Sequence, residues 1–226
     1  MARAGSAPLA ASELAEAASL ADQAYVVLRE MIVMLELPPG ALVKEPELVA
    51  RLGIGRTPVR EALRRLSQER LIEVYPRRGM VVTTVDVRDL ARLCEVRLAL
   101  EPEAARLAAE RATEADLDEI TALLSELAGR RRRDDRALIS LDRRIHTAIY
   151  RASHNLFLEE TLEEYYTHAL RIWMLGLEKT GLSAAVHEHG ELLGAILRGH
   201  GARAAELMRR HVERFEEEMR DVLLEA

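Results

Sequence analysis

Cysteine, aromatic residues and long apolar runs are all scarce in this sequence of 226 residues. A single cysteine, Cys94, excludes an internal disulfide framework, which fits a reducing compartment such as the cytoplasm. Its apolar helical surroundings predict a small buried side chain. No apolar run approaches the roughly 20 residues that a membrane helix requires, so we expect no membrane partner. Ala, Leu, Arg and Glu dominate instead, a composition that favours helices.

The first 19 residues are rich in Ala and Ser, but Glu13 and Glu16 interrupt them. They lack the basic start and the continuous apolar middle of a signal peptide. We therefore expect a mobile N-terminal tail over residues 1–19, followed by one domain over residues 20–85 and a second over residues 86–226.

Positive charge is concentrated in one short part of a chain whose net charge is −6. Between Arg51 and Arg78, eight arginines face only three glutamates, which gives this segment a charge of +5 and leaves −11 for the rest. Such asymmetry indicates a module that binds a polyanion, joined to a module with a different task.

Three helices and a hairpin are predicted within residues 20–85. Apolar spacing of about 3.6 predicts a helix over 20–36, which Pro38–Gly40 ends, and a second over 46–52, which Gly53 ends. Thr57 as N-cap and Pro58 as the first helical residue predict the start of the third. β-Branched residues predict strands over 72–75 and 80–84, with a turn at 76–79. This order is typical of a winged helix-turn-helix.

The third helix combines an apolar face with a cationic one. Its predicted buried residues are Val59, Ala62, Leu63 and Leu66. Arg56, Arg60 and Arg64 are spaced four residues apart, so they lie on the same face of the helix. If this face enters the major groove of DNA, its arginines can pair with guanine. The hairpin tip, Arg77–Arg78–Gly79, is placed to reach phosphate or the minor groove beside it. A solvated basic helix is the alternative interpretation, which the adjacent hairpin makes weaker.

No strand pattern follows Asp86. We expect helices near residues 86–110, 114–132, 135–152, 156–178, 183–199 and 202–224, with breaks at Asn155, Gly181 and Gly199–Gly201. The predicted fold is therefore mainly α, with an N-terminal winged helix-turn-helix and a C-terminal all-α helical bundle.

Three histidines and an aspartate lie on the apolar faces of three of these predicted helices. Asp142 and His146 are four residues apart and share one face, while His189 and His211 lie on stripes of two later helices. Neutral imidazoles with one carboxylate suit zinc and other divalent transition metals, and a bundle can aim them at one point. A single histidine on such a face is more often a hydrogen-bonded core residue, so spacing alone leaves both interpretations open.

The run from Glu47 to Leu66, followed by Leu71–Gly79, resembles the GntR family of bacterial transcription regulators. The resemblance implies a homodimer on a palindromic operator, with Arg56 and Arg60 as base-reading residues and the wing around Gly79 at the groove. The sequence departs from the family where Gly55 replaces a frequent Ser or Thr and where Pro46 replaces an arginine of some members. We predict DNA contacts from Arg56, Thr57, Arg60, Arg64, Arg77, Arg78 and Gly79.

Residues 88–212 resemble the FCD effector domain of the FadR subfamily of GntR regulators. Its metal-binding members use an Asp-x-x-x-His pair and two later histidines, which Asp142, His146, His189 and His211 match. Arg97 matches an arginine that often faces the effector pocket. The resemblance implies that a small carboxylate binds beside the metal and controls operator binding. Zinc is the first expectation for the metal, with nickel and manganese also open.

Three alternatives use the same residues. The ion itself is the signal in a direct metal sensor, whereas a purely structural ion leaves the effector to another pocket. In a metal-dependent hydrolase, the site would activate water. Catalytic zinc usually keeps three protein ligands, an open position and a nearby base, and no base stands out here. We therefore expect a regulator and not an enzyme.

Overall fold

A computed structural model of the chain describes residues 14–15, 17–77, 79–129, 135–180 and 183–224, without the side chains of residues 135–136, 177–180 and 183–187. The chain divides into two compact units, residues 1–85 and residues 86–226. Most of the predicted N-terminal tail, residues 1–13 and 16, lies outside the described residues. In the part that the structure describes, no helix has both the length and the apolar character needed to cross a bilayer.

From residue 17 onward, the described part of the first unit contains three helices and a small sheet. Its elements are α1 (Leu20–Val33), β1 (Leu42–Val43), α2 (Glu45–Leu52), α3 (Arg56–Gln68), β2 (Ile72–Tyr75) and β3 (Gly79–Val82). The sheet is antiparallel in the order β1-β3-β2, with Leu42 opposite Val81 and Tyr75 opposite Gly79. This arrangement confirms the predicted winged helix-turn-helix and adds β1, which the sequence analysis missed.

Several predicted boundaries in this unit were wrong. α1 ends at Val33, because the backbone of Leu35 turns into the left-handed region with φ of 58° before the prolines are reached. α2 begins one residue earlier than predicted, and the strand predicted over 80–84 is Gly79–Val82. Thr57 is not the N-cap of α3: Gly55 caps it, so Arg56 is the first helical residue and Pro58 lies within the first turn, where its missing N–H costs nothing.

Residues of α1 and α3 supply most of the core of the first unit. The predicted apolar face of α3 is confirmed, since Val59, Ala62, Leu63 and Leu66 are all buried. They pack with Leu28 and Ile32 of α1 and with residues of the sheet. Burying this stripe leaves the opposite face of α3 to the solvent.

Six helices form the second unit, as far as its described residues extend. They are α4 (Val87–Arg111), α5 (Glu114–Gly129), α6 (Asp135–Ala152), α7 (Leu156–Thr180), α8 (Ser183–Leu197) and α9 (Gly201–Leu224). These bounds confirm the predicted all-α domain: of the twelve predicted helix ends, six coincide with the structure, five differ by one or two residues, and the one at residue 132 lies outside the described residues. The predicted break at Gly181 and the basic run at residues 130–133 lie outside the described residues.

α4 is capped at its first turn and buried along its inner face. Asp86 caps its first turn by accepting hydrogen bonds from the backbone N–H groups of Arg88 and Asp89, while the Asp89 carboxylate accepts one from Asp86 N–H. Cys94 is fully buried on its inner face, as predicted. α4 packs mainly along α9, and it also contacts α6, α7 and α8, which carry the remaining residues of the interior site.

Candidate DNA-binding face and metal centre

The cationic face of α3 is exposed. Arg56, Thr57, Arg60 and Arg64 are all exposed, and they share one side of the helix because the buried stripe holds the other. Arg56 and Arg64 have no ion pair among the described residues. A groove of about 510 Å³ runs between α3 and the sheet, and Thr57, Arg60, Arg64, Val74 and Met80 contribute to its walls.

Arg60 is held by a carboxylate from the preceding helix. Its Nε and Nη2 atoms donate to the two oxygens of Glu45, at 3.1 and 2.8 Å. Hydrogen bonding to Arg60 lowers the pKa of Glu45, and the charges of Arg60 and Arg56 add to this effect. Glu45 was not singled out in the sequence, because it precedes Arg60 by 15 residues and belongs to another helix.

Other arginines of the basic segment have structural tasks. Arg65 donates to Asp22 of α1 at 2.7 Å and lies 3.9 Å from the centre of the Tyr25 ring, so it fastens α3 to α1. Arg77 and Gly79 are exposed at the tip of the hairpin, where both have positive φ angles of 66° and 92°. The third residue of the predicted tip, Arg78, lies outside the described residues.

Three predicted metal ligands meet inside the second unit. His146 of α6, His189 of α8 and His211 of α9 each offer a ligand atom, and these atoms lie within 4.8 Å of one another. His146 Nε2 and His189 Nε2 are 3.2 Å apart, and all three side chains are buried. Burial lowers the pKa of His146 and of His211 well below the ordinary value, with nearby cationic groups adding to the effect.

This donor set fits a divalent transition metal. Bonds of about 2.0–2.1 Å place neighbouring nitrogen ligands roughly 3–3.4 Å apart around one ion, which the 3.2 Å between His146 and His189 matches. Neutral imidazoles are the form that binds metal, and the lowered pKa values keep two of the three neutral at pH 7.

Asp142 lies beside this cluster, against the second nitrogen of one histidine. Its Oδ1 atom is 3.5 Å from His189 Nδ1, and neither atom has a hydrogen-bond partner among the described residues. Its Oδ2 atom accepts a hydrogen bond from Tyr166 Oη at 2.6 Å. Burial raises the pKa of Asp142, while His189, Tyr166 and Arg97 oppose that rise.

Arg97 and Glu101 form a buried ion pair next to His146. Arg97 Nε donates to Glu101 Oε1 at 2.5 Å, and the two side chains are 2% and 0% exposed. Burial by itself would lower the pKa of Arg97, but Glu101 outweighs it and the pKa is raised. Arg97 Nη1 and Glu101 Oε2 remain without hydrogen-bond partners among the described residues. The Oε2 atom lies 3.7 Å from His146 Nδ1, which also contacts Tyr150 Oη at 3.0 Å.

A cavity connects Arg97 with the histidine cluster. Its lining combines His146, His211, Asp142 and Arg97 with the apolar side chains of Leu170, Trp173 and Phe215. Glu188, Arg214 and Glu218 lie where the cavity meets the surface, and Arg214 binds both glutamates. No role was predicted from the sequence for five residues of this site: Glu101, Tyr166, Trp173, Glu188 and Arg214. Only Glu101 carried a signal, its helical i,i+4 spacing from Arg97.

Comparison with known proteins decides the family. The profile of the gntR family of bacterial regulatory proteins matches residues 20–82, and the profile of the FCD domain matches residues 92–214. The chain belongs to the GntR family of DNA-binding transcription regulators. The FCD domain is consistent with the FadR-like subfamily that the sequence resembles.

The relatives of this GntR regulator are described as transcription regulators too. An uncharacterized HTH-type transcriptional regulator in an unstable DNA locus of Streptomyces ambofaciens is 35% identical over 195 residues, covering 83% of this chain and 80% of the relative. The HTH-type transcriptional regulator McbR of Escherichia coli (strain K12) is 34% identical over 149 residues, covering 66% and 67%. The solved structure of E. coli McbR/YncC has a TM-score of 0.74 at 28% identity and covers 88% of this chain and 98% of that one.

Proposed function

We propose that this GntR regulator binds a palindromic operator as a homodimer, and that a small organic acid bound beside a divalent metal controls its affinity for the operator. The metal is assigned to His146, His189 and His211 with Asp142, and Arg97 is assigned to the carboxylate of the acid. Zinc is the first candidate for the metal, and we propose that the protein acts in the cytoplasm.

One observation carries the effector assignment: His146 and His211, two of the three converging imidazoles, line the same cavity as a buried guanidinium that has an N–H without a hydrogen-bond partner among the described residues. Arg97 Nη1 is desolvated without a hydrogen-bond partner among the described residues, a state that costs free energy until an acceptor arrives. A carboxylate is the acceptor that suits both a guanidinium and a divalent cation. A metal ion held by the histidines would supply the second positive charge for that carboxylate.

The DNA assignment relies on the exposed face of α3. Arg56, Arg60 and Arg64 are set to read base edges in the major groove, with Thr57 beside them. Arg77, Arg78 and Gly79 of the wing are assigned to phosphate or to the adjacent minor groove. Homodimerisation on a palindrome follows the symmetry logic of helix-turn-helix proteins, in which two equivalent helices read two half-sites.

Asp142 is proposed as the remaining protein ligand of the ion. Its Oδ1 atom is unsatisfied, and Tyr166 fixes its other oxygen, so the carboxylate is held in one orientation. The Oδ1 atom lies 3.5 Å from His189 Nδ1, so Asp142 is adjacent to a residue that is itself assigned to the ion.

The size of the cavity explains how an acid would alter the protein. Its water-accessible volume is about 20 Å³, room for about one water molecule. Entry of an organic acid therefore requires the lining to rearrange, and the Glu188–Arg214 ion pair between α8 and α9 lies at the mouth of the cavity. Binding that requires such a rearrangement favours one conformation over another, which is what control of DNA affinity demands.

Fluorescence anisotropy on DNA from upstream of the protein's own gene tests this proposal. Metal-free and Zn²⁺-loaded protein are titrated with and without a panel of small carboxylic acids, alongside His189→Ala and the surface control His200→Ala. We expect one acid to shift DNA affinity in wild type and in His200→Ala but not in His189→Ala. Calorimetry that gives equal acid affinity for wild type and His189→Ala would contradict the metal-anchored site.

A direct metal sensor is the second candidate, and the small volume of the cavity favours it. A site that holds an ion and about one water needs no organic ligand to change state. Operator binding that responds reversibly to Zn²⁺ or Ni²⁺ alone, with no acid of the panel shifting it further, would support the sensor over the acid-responsive regulator.

A further inference from the structure

The apolar part of the cavity is unusually aromatic for this chain. The whole sequence has one tryptophan and two phenylalanines, and two of these three residues, Trp173 and Phe215, line this cavity. Trp173 is 7% exposed on α7, and the third residue, Phe157, is 83% exposed at the start of the same helix. Leu170 adds an aliphatic wall. Aromatic walls gain most from a flat aromatic partner, through stacked or edge-to-face contacts.

Among the described residues that line the cavity, Arg97 Nη1 is the one buried cationic donor without a hydrogen-bond partner. By contrast, Arg214 Nη1 binds Glu188 and Arg214 Nε donates to Glu218 at 2.8 Å. A second carboxylate on a ligand would therefore lie against two glutamates whose counter-ion is already engaged. Like charges placed in this way disfavour a dicarboxylic acid.

From these two observations we infer that the effector is an aryl monocarboxylic acid. Its carboxylate binds Arg97 Nη1 beside the histidine cluster, and its ring packs against Trp173 and Phe215. This inference depends on the proposed function, because it assigns a chemical class to the acid proposed there. Trp173 is the residue that sets the preference for a ring over a short aliphatic chain.

Calorimetric titration of the Zn²⁺-loaded protein tests the inference, with benzoate, propionate and succinate as probes. We expect benzoate to bind with a Kd at least about tenfold lower than either of the other acids, the discrimination that an apolar pocket typically provides. Because Trp173 is the single tryptophan, its fluorescence should change on adding benzoate.

Variants of the aromatic wall separate recognition from folding. Trp173→Ala should abolish the preference for benzoate over propionate by weakening benzoate binding, and Trp173→Phe should keep the preference. Phe157→Ala, on the exposed end of the same helix, is the control and should behave as wild type. If Trp173→Ala does not fold, Phe215→Leu takes its place and should reduce the same preference.

Either of two outcomes would overturn the inference, and they differ in whether the proposed function survives. Propionate or succinate binding as tightly as benzoate would exclude an aryl acid but leave an acid-responsive regulator. Binding of Zn²⁺ without binding of any of the three acids would overturn both the inference and the acid-responsive part of the proposed function.

Discussion

The Glu45 carboxylate accepts two hydrogen bonds from the Arg60 guanidinium, one from Nη2 at 2.8 Å and one from Nε at 3.1 Å. Because these bonds use Nε and Nη2, the edge of the guanidinium that carries Nη1 is left for another partner. The Arg60 side chain is 71% exposed. A guanidinium with one edge fixed is oriented in advance for a paired contact with guanine through the other.

Glu45→Gln is therefore expected to reduce discrimination between operator and scrambled DNA by about fivefold to tenfold, on the order of 1 kcal/mol. Stability should change little, because exposed ion pairs contribute little to it. Anisotropy with both DNAs measures the ratio. Glu47→Gln removes the same charge from the same helix at a residue paired with Lys44, and it should leave discrimination intact. If Glu47→Gln reduced the discrimination between operator and scrambled DNA as much as Glu45→Gln does, the effect would come from net charge and not from the contact with Arg60.

Truncation of Arg56 and truncation of Arg77 should affect DNA binding in different ways. Arg56→Ala should cost about 1–3 kcal/mol of operator affinity and relax specificity at one base pair. Arg77→Ala, at the tip of the wing, should weaken binding to all sequences alike and reduce the salt slope by about 1. Salt titrations on operator and scrambled DNA distinguish the two patterns. A sequence-dependent loss in Arg77→Ala would move base reading to the wing.

Tyr166→Phe should weaken metal affinity by about 10–100-fold, the usual cost of removing a group that orients a ligand. The phenol holds Asp142 Oδ2, and without it the carboxylate loses a buried hydrogen bond. Competition with a chromophoric chelator for Zn²⁺ measures the affinity. Tyr165→Phe, one residue earlier on α7, is the matched control, and identical affinities for the two variants would mean that Asp142 does not help to hold the ion.

Arg97→Ala is expected to destabilise the protein by about 3–5 kcal/mol, because it leaves the Glu101 carboxylate buried without its counter-ion. The double variant Arg97→Met/Glu101→Gln removes both charges at similar volume and should recover most of that loss. Urea unfolding measures both. The double variant is then the proper test of acid binding, since a loss of affinity in it cannot be ascribed to unfolding. Equal destabilisation of the single and double variants would argue against the ion pair as the cause.

The buried thiol of Cys94 should make the protein less stable at alkaline pH. Burial raises the pKa of its thiol from 9.0 to about 11, so the native state retains the proton more tightly than the unfolded chain. The contribution is fully present below pH 9 and is lost as the pH rises through 11, a change of roughly 2–3 kcal/mol. Urea unfolding at pH 8 and pH 10.5 should show a larger decrease in wild type than in Cys94→Ala. Parallel decreases would mean that the thiol does not ionise on unfolding.

Helix periodicity was legible in the sequence because it depends on neighbours three and four residues apart. The buried stripe of α3 and the six helices of the second unit followed from that spacing. Boundaries that depend on a single backbone angle did not follow: Leu35 ends α1 early, and Gly55 replaces Thr57 as the cap of α3. β1 was missed because a strand of two residues has no pattern of its own and exists through pairing with β3.

The sequence by itself determined which residue types the candidate sites contain and which helix faces carry them. Arg56, Arg60 and Arg64 share a face by spacing alone, and the same holds for Asp142 and His146. Only the tertiary structure decided which faces meet. It brought His146, His189 and His211 together from three helices, paired Glu45 with Arg60 across 15 residues, and placed Trp173 and Phe215 in the cavity of Arg97. Contacts between distant segments are set by how whole helices pack, which no local pattern encodes.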